Sequence, residues 1–274
     1  MTGSPSRLIV KGLNRALRLV RPARPAAELP PAPAGPVCPR EQARLRALAD
    51  SYPCWWHSID LGHGVVTPGH KTREIVQAEW AALRLPELRG KSVLDIGAWD
   101  GWFSFEAERR GASRVLAADH YCWGGPGWGT KAGFDYAHAR YGSQVQSREM
   151  NVQDMSPANP GVFDTVLLLG VLYHLKDPLS ALEHAASVTG ETLVVETVTA
   201  FDPFPWKLAA YYEGDEFNGD PTNFWAPNRA CLAAMLRDVG FKRVEMVRNP
   251  NVVPHWRRPE LYWKHSRVIA HAWR

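Results

Sequence analysis

Apolar residues along the chain fall into two alternating patterns. Short apolar runs predict strands at Val93–Ile96, Arg114–Ala118, Phe163–Gly170 and Gly190–Val198. Between and after them, apolar residues recur every three or four positions. This predicts helices over Trp102–Arg110, Lys131–Tyr141, Asp177–Val188 and Asn228–Val239. Gln144–Val152 reads as a further strand ending near Asp154, and Phe241–Val247 and Ser266–Ala272 as the last two. Gly111 and Gly240 stop their helices, and Pro178 suits a first helical position. Strand–helix alternation of this kind builds an α/β fold around a mostly parallel sheet. The run FDTVLLLG, with four consecutive apolar residues Val166–Leu169, suits a central strand covered on both faces.

Upstream, Arg40–Asp50 and Lys71–Leu83 also read as helices, with an aromatic, Gly- and His-rich stretch between them (His57, His63, His70). These histidines lack the spacing of a helical ligand pair, so they are expected as polar loop residues, with no metal site. Trp55 and Trp56 are expected as packing, with a stack of one of them on substrate as the alternative. Residues 1–36 differ in composition. Leu8–Val20 has an apolar face on a cationic helix pattern, and Arg21–Pro36 is Pro/Ala-rich, the composition of a stiff disordered linker. A weak tether to an anionic surface or an organellar targeting peptide are the sharper alternatives for this tail. The expected organisation is a tail (1–36), an N-terminal cap (37–88) and a main domain (89–274).

Charge then changes the picture. The 274-residue chain is formally +4, but residues 1–36 carry six Lys and Arg against one Glu, a net of +5. The rest therefore sums to −1, which argues against a general nucleic-acid surface. No apolar run approaches the roughly 18 residues that span a bilayer, so stable membrane insertion is not expected. The four scattered cysteines show no C-x-x-C spacing, and a cytoplasmic setting is the expectation.

The chemistry centres on Ser92–Asp119. A strand runs into a turn containing Gly97 and Gly101, a helix follows, and a second strand ends on Asp119. Ligands of open α/β sheets bind at that end of the strands, and an acid about 20 residues past the turn suits the hydroxyls of a ribose. Asp95, just before the turn, would repel a pyrophosphate and suits a cationic ligand instead. This leaves a nicotinamide dehydrogenase as a distant alternative.

With VLDIGAWDG, Asp119, FDTVLLLG and GFKRVEM in register, the chain resembles the class I S-adenosyl-L-methionine (SAM) methyltransferases. The resemblance implies a Rossmann-like, mostly parallel seven-stranded sheet flanked by helices. It also implies a cofactor site built from Asp95, Gly97, Ala98, Asp100, Gly101, Asp119, His120, Gln153, Asp154, Leu169 and Gly170. Trp99 replaces the middle glycine of the family turn. Its backbone is expected to suit a residue with Cβ, and its indole to pack against the sheet or the cap. The Gly-rich loop after Asp119, with Trp123 and Trp128, reads as a pocket wall or lid, or as an ordinary surface loop.

A closer likeness lies in GVLYHLKDPL, LVVETV and the segment from Glu213 to Met246. It is similar to the bacterial enzymes that alkylate the 5-hydroxy group of the tRNA wobble uridine, and it covers about residues 88–246. In that group a carboxylated SAM is used. The GVLYH tyrosine, here Tyr173, contacts the transferred group, and an arginine near the chain end, Arg257 or Arg258, helps hold the extra carboxylate. The stretch VVTPGHKTREIVQAEW shows no match to the family's carboxylate-binding lysine, and the folded part carries no positive excess. SAM-dependent methyl transfer to an O or N atom of a small molecule is therefore the expected function. A tRNA wobble-uridine methyl or carboxymethyl transferase and a non-catalytic SAM-binding protein are the alternatives.

Methyl transfer from a sulfonium is an in-line displacement whose leaving group, S-adenosylhomocysteine (SAH), needs no acid. Alignment and exclusion of water are the main tasks. Tyr173, His174 and Glu196, at the ends of central strands, are the candidates beside the methyl group, His174 as a base or as a packed histidine and Glu196 as a substrate-facing carboxylate or as a partner behind the site. Asn223, Phe224 and Trp225 are expected as another wall.

Overall fold

The computed structural model describes residues 37–52, 54–127, 129–248 and 265–274. The central sheet contains β3 (Ser92–Ile96), β4 (Arg114–Asp119), β5 (Gln146–Glu149), β6 (Phe163–Leu169), β7 (Thr189–Thr199), β10 (Arg243–Arg248) and β11 (Ser266–Trp273). Their order is β10-β11-β7-β6-β3-β4-β5. The pairs among β7, β6, β3, β4 and β5 are parallel, and β11 runs antiparallel to both its neighbours. The carboxyl ends of five parallel strands thus share one edge, which is where the turn after β3 lies. The seven-stranded, Rossmann-like architecture is as expected.

Alternation along the strands divides the core in two. Val93, Val115, Ala117, Leu167, Val194 and Ile269 face one side, packed with cap residues and with α2 (Arg73–Leu83), α3 (Trp102–Arg109) and α4 (Ala132–Tyr141). Leu94, Ile96, Leu116, Leu168, Val195 and Val268 face the other, beneath α5 (Pro178–Ser187) and α6 (Arg229–Asp238). Both faces of β6 are buried, as its apolar run requires. Three helices begin on side-chain caps: Thr72 accepts from Ile75 N, Asp177 from Ser180 N and Asn228 from Cys231 N.

The cap comprises α1 (Pro39–Ser51), a short hairpin β1–β2 (Asp60–Gly62, Val65–Val66) and α2. Leu45, Trp55 and Ile59 join the same core as Phe103, Phe105 and Leu167, so the cap is packed onto the sheet's helical layer. A second hairpin, β8–β9 (Ala209–Tyr211, Trp225–Pro227), lies outside the main sheet. Neither hairpin was legible as strand, because runs of two or three residues carry no periodicity.

The third strand is shorter than Gln144–Val152. It ends at Glu149, and Val152–Asp154 forms a single 3-10 turn whose Gln153 N donates to Asn151 Oδ1. β5 is the edge strand, paired with β4 on one side only, and its four side chains are exposed. The tail expectations and Trp128 fall outside the described residues. Among the described residues no helix is long and apolar enough to cross a membrane.

Candidate active site

The turn Gly97–Gly101 leads from β3 into α3, and three of its residues are left-handed: Gly97 (φ 81°), Trp99 (φ 51°) and Gly101 (φ 84°). A Cβ on Gly97 would lie 2.3 Å from Val171 Cγ2, and one on Gly101 would lie 2.6 Å from the Phe134 ring, so both positions require glycine. Gly97 N and Ala98 N both donate to Ala118 O (2.8 and 3.2 Å), fastening the turn to β4. Asp119 completes that fastening. Its Oδ2 accepts from Trp99 N (3.0 Å) and its Oδ1 from Cys122 N (2.9 Å).

Asp95 lies buried beneath the turn and accepts from Ser104 Oγ at 2.6 Å. Burial pushes its carboxyl up to about 6, against the lowering effect of the Ser104 hydroxyl. Burial likewise raises Asp119, although two backbone N–H groups pull it down. Among the described residues neither carboxylate forms an ion pair with Lys or Arg. Two buried acids without a Lys or Arg partner among the described residues, at a glycine turn and a helix N-terminus, fit a ligand that brings positive charge. SAM, with its sulfonium and ammonium, suits this donor set. Asp95 would face the cationic end, Asp119 the ribose side, and the backbone of Gly97, Ala98 and Gly101 would line the approach.

Two expectations at the turn need correction. Asp100 is fully buried with its carboxylate turned to the cap. Oδ2 accepts from Trp56 N and His57 N (both 2.8 Å), and Oδ1 lies 2.5 Å from His57 Nδ1. The cap has claimed this side chain, which leaves only the residue's backbone to the cofactor. Trp99, expected to have a backbone that suits a Cβ, instead sits in the left-handed region, a cost of about 1 kcal/mol or more. Neighbours over-determine it. Its indole Nε1 donates to Cys54 O (2.9 Å), its ring stacks on Trp56 (4.9 Å, 15°), and its carbonyl accepts from Trp123 Nε1 (2.7 Å). The indole therefore packs against the cap, and the loop after Asp119 supplies a buried Trp123 that braces the turn.

The other candidates gather at the ends of β6 and β7. Leu169 faces Glu196 in the parallel register, and Gly170 N donates to Glu196 O (2.9 Å). Gly170 is left-handed (φ 72°), and a Cβ there would point at Arg267 Nη2, Glu196 Oε2 and Tyr173 Oη, all 3.7–3.9 Å away. These three side chains form one cluster. Arg267 grips Glu196 with two hydrogen bonds, Nε to Oε1 and Nη2 to Oε2 (2.7 Å). Its guanidinium also lies 5.1 Å from the Tyr173 ring. Burial alone would raise the Glu196 carboxyl, but the Arg267 charge and hydrogen bonds outweigh it and hold the group below its usual value. The charge of Lys71, from the cap, acts in the same direction.

His174 Nδ1 lies 3.0 Å from Thr222 O and 2.9 Å from Thr222 Oγ1. A carbonyl only accepts, so Nδ1 carries the proton and Nε2 the lone pair. Burial lowers the His174 pKa below 6.5. Beyond Tyr173 lies an apolar cavity of about 110 Å3, walled by Leu172, Pro178, Trp225, Pro227 and Met235. Phe224 N donates to Tyr173 O (2.8 Å), and Trp225 Nε1 to Lys176 O (3.1 Å). Asn223 is buried and donates to Phe217 O, so it supports this wall from behind.

His120, Gln153 and Asp154 sit apart from the cluster. His120 is exposed beside Glu149 (3.7 Å), and Gln153 and Asp154 lie on the exposed turn after β5. Arg257 and Arg258 fall outside the described residues. The arginine that the structure brings to Tyr173 is Arg267, which the sequence reading missed. Its only local signal was a charge inside an otherwise apolar strand. His57 was missed too, because a loop histidine shows no partner in sequence.

Comparisons with known proteins bear on the family and the fold. Residues 69–246 match a family model described as a methyltransferase domain. Curated relatives include the tRNA U34 carboxymethyltransferase of Alteromonas mediterranea, 28% identical over 58% of this chain and 47% of that protein. The protein of the same name from Helicobacter pylori is 27% identical over 58% of this chain and 59% of that protein. The chain thus spans about half the length of the curated relatives it matches. Among solved structures, the N-terminal domain of EvdMO1, crystallised in the presence of SAH and D-fucose, superimposes with a TM-score of 0.60. It is 19% identical and is matched over 87% of this chain and 98% of that one. An O-methyltransferase family protein from Burkholderia thailandensis gives a TM-score of 0.50 at 15% identity, over 73% of this chain and 55% of that one. The chain belongs to the methyltransferase-domain family.

Proposed function

We propose that the chain moves a methyl group from SAM to an oxygen or nitrogen of a small-molecule acceptor. The carrying observation is the position of Tyr173. On one side it touches the Arg267–Glu196 pair, and on the other it walls the apolar cavity of about 110 Å3. That cavity is smaller than the roughly 150 Å3 that takes a benzene, so it suits an alkyl group or part of a small ring. The near-neutral charge of residues 37–274 also favours a small acceptor over a polyanion.

When bound, SAM supplies an electrophilic methyl on a sulfonium. The protein's residues align and shield the acceptor. Arg267 and Tyr173 hydrogen-bond its polar end, Glu196 holds Arg267 in place, and the cap excludes water. His174, with Nε2 unprotonated, is the group able to take a proton from an acceptor hydroxyl or amine. Four free cysteines accord with a reducing, cytoplasmic setting.

A second reading has its own support. Arg267 beside Tyr173, with the Lys71 charge nearby, would suit a donor or acceptor bearing an extra carboxylate. This reading follows the relatives named for tRNA U34 carboxymethyl transfer. The test is incubation with methyl-labelled SAM and a cell extract separated into small-molecule and RNA fractions. Label in small molecules supports the proposal, and label confined to tRNA replaces it with the second reading.

A further inference from the structure

We propose that His57 is a positioning residue for the cofactor turn, acting through Asp100. The inference rests on the SAM reading of that turn. Asp100 lies between Trp99, which is held left-handed, and Gly101, the N-cap of α3. Its buried carboxylate has three partners, Trp56 N, His57 N and His57 Nδ1, and all belong to the cap. Trp56 then stacks on Trp99, and Cys54 O takes the Trp99 indole N–H. The residue that departs from glycine is thus pinned from both sides by cap residues 54–57.

The cap is itself built to present His57. Residues 56–58 run beside Lys71: Lys71 N donates to Trp56 O and Ser58 N to Lys71 O (both 2.8 Å). Thr67 Oγ1 donates to His57 O (3.0 Å), and the His57 ring meets Phe103 of α3 edge-on at 5.4 Å. A Cβ on Gly69 would lie 2.2 Å from the His57 carbonyl carbon, so the chain there must be glycine for the clasp to close. The ladder that holds His57 on Asp100 also carries Lys71, whose charge reaches Glu196.

A turn held in a strained conformation keeps its shape only while its surroundings enforce it. Losing the His57 side-chain bond leaves Asp100 under-satisfied and frees the turn to relax away from the geometry that receives the cofactor.

The test is calorimetry of the full chain with SAH, which separates affinity from the fraction of competent sites. His57→Phe keeps the ring against Phe103 but removes the bond, and its Kd should rise about tenfold at unchanged stoichiometry. His57→Gln, whose amide can still donate to Asp100, should stay within about threefold of the parent. Trp56→Leu removes the stack and leaves the backbone bonds, and it should weaken SAH as well, which covers failure of His57→Phe to fold. A merely structural His57 would lower stoichiometry and melting temperature with Kd unchanged, and that result overturns the inference. So does a parent-like Kd in Trp56→Leu. If the parent itself binds neither SAM nor SAH, the cofactor reading falls and this inference with it.

Discussion

Arg267 and Glu196 sit on neighbouring antiparallel strands, two positions out of register, and meet in a two-pronged ion pair beside Tyr173. Ile269 is the residue directly opposite Glu196, so Arg267 reaches it along the diagonal of the same sheet face. The carboxylate keeps 12% of its side-chain surface and the guanidinium 37%. Breaking such a pair strands a mostly buried acid. Arg267→Ala should cost about 2 kcal/mol of unfolding free energy, the lower side of a buried pair because the guanidinium is partly solvated. It should also abolish transfer to the acceptor. Arg267→Lys, which lacks the planar fork, should restore much of the stability but little of the activity. Urea denaturation and labelled-methyl assays on the three proteins check both statements. A lysine variant with parent-like activity would remove Arg267 from acceptor recognition.

Asp95 gives a pH prediction. Its carboxyl is raised by burial to about 6 in the free protein. The folded state binds that proton more tightly than the unfolded one. The associated stability is therefore fully present below the unfolded value near 4 and is lost as pH rises through about 6. Cofactor binding runs the opposite way, because a cationic ligand needs the ionised acid. SAM affinity should fall about tenfold between pH 7 and pH 5, with proton release on binding near pH 6. Asp95→Asn should bind weakly at both values and lose most of this slope. Calorimetry in two buffers of different ionisation enthalpy measures the proton count. An unchanged slope in the variant would assign the effect to another group, with Asp119 next in line.

Much of the candidate site was legible in sequence because its signals are local. The Gly97–Gly101 turn, the acid before it and the apolar β6 are each defined by spacing within one element, and the sheet delivers them to one edge. Asp100, His57 and Arg267 were misplaced or missed for the opposite reason. The bonds of Asp100 to His57 span 43 residues and that of Arg267 to Glu196 spans 71, so no periodicity or motif encodes them. Trp99 is intermediate. The missing glycine announced that its side chain must go elsewhere. Only the packed cap shows why a tryptophan can hold a left-handed backbone.

His174 makes the acceptor chemistry testable. With Nδ1 bonded to Thr222 and its pKa lowered by burial, the ring stays neutral through the neutral range and offers Nε2. At saturating cofactor, transfer to a hydroxyl or amine should keep its rate down through pH 6.5 and fall only below that. His174→Gln keeps a side-chain donor for Thr222 but has no base, so this acidic limb should vanish along with most of the rate. A parent-like pH–rate profile in the variant would reduce His174 to an orienting role.

Trp99→Gly separates motif from context. The change returns the family glycine and relieves a left-handed backbone strain of about 1 kcal/mol. It also removes the Trp56 stack, the indole bond to Cys54 O and a half-buried ring, together about 3 kcal/mol. The larger sum wins, so the variant should be less stable by about 2 kcal/mol in urea denaturation despite its more regular turn. Its near-ultraviolet circular dichroism should lose the signal of the paired indoles. If the turn were self-sufficient, the glycine variant would instead be at least as stable as the parent and bind SAH equally well. That outcome would show that the cap merely covers the cofactor turn and does not shape it.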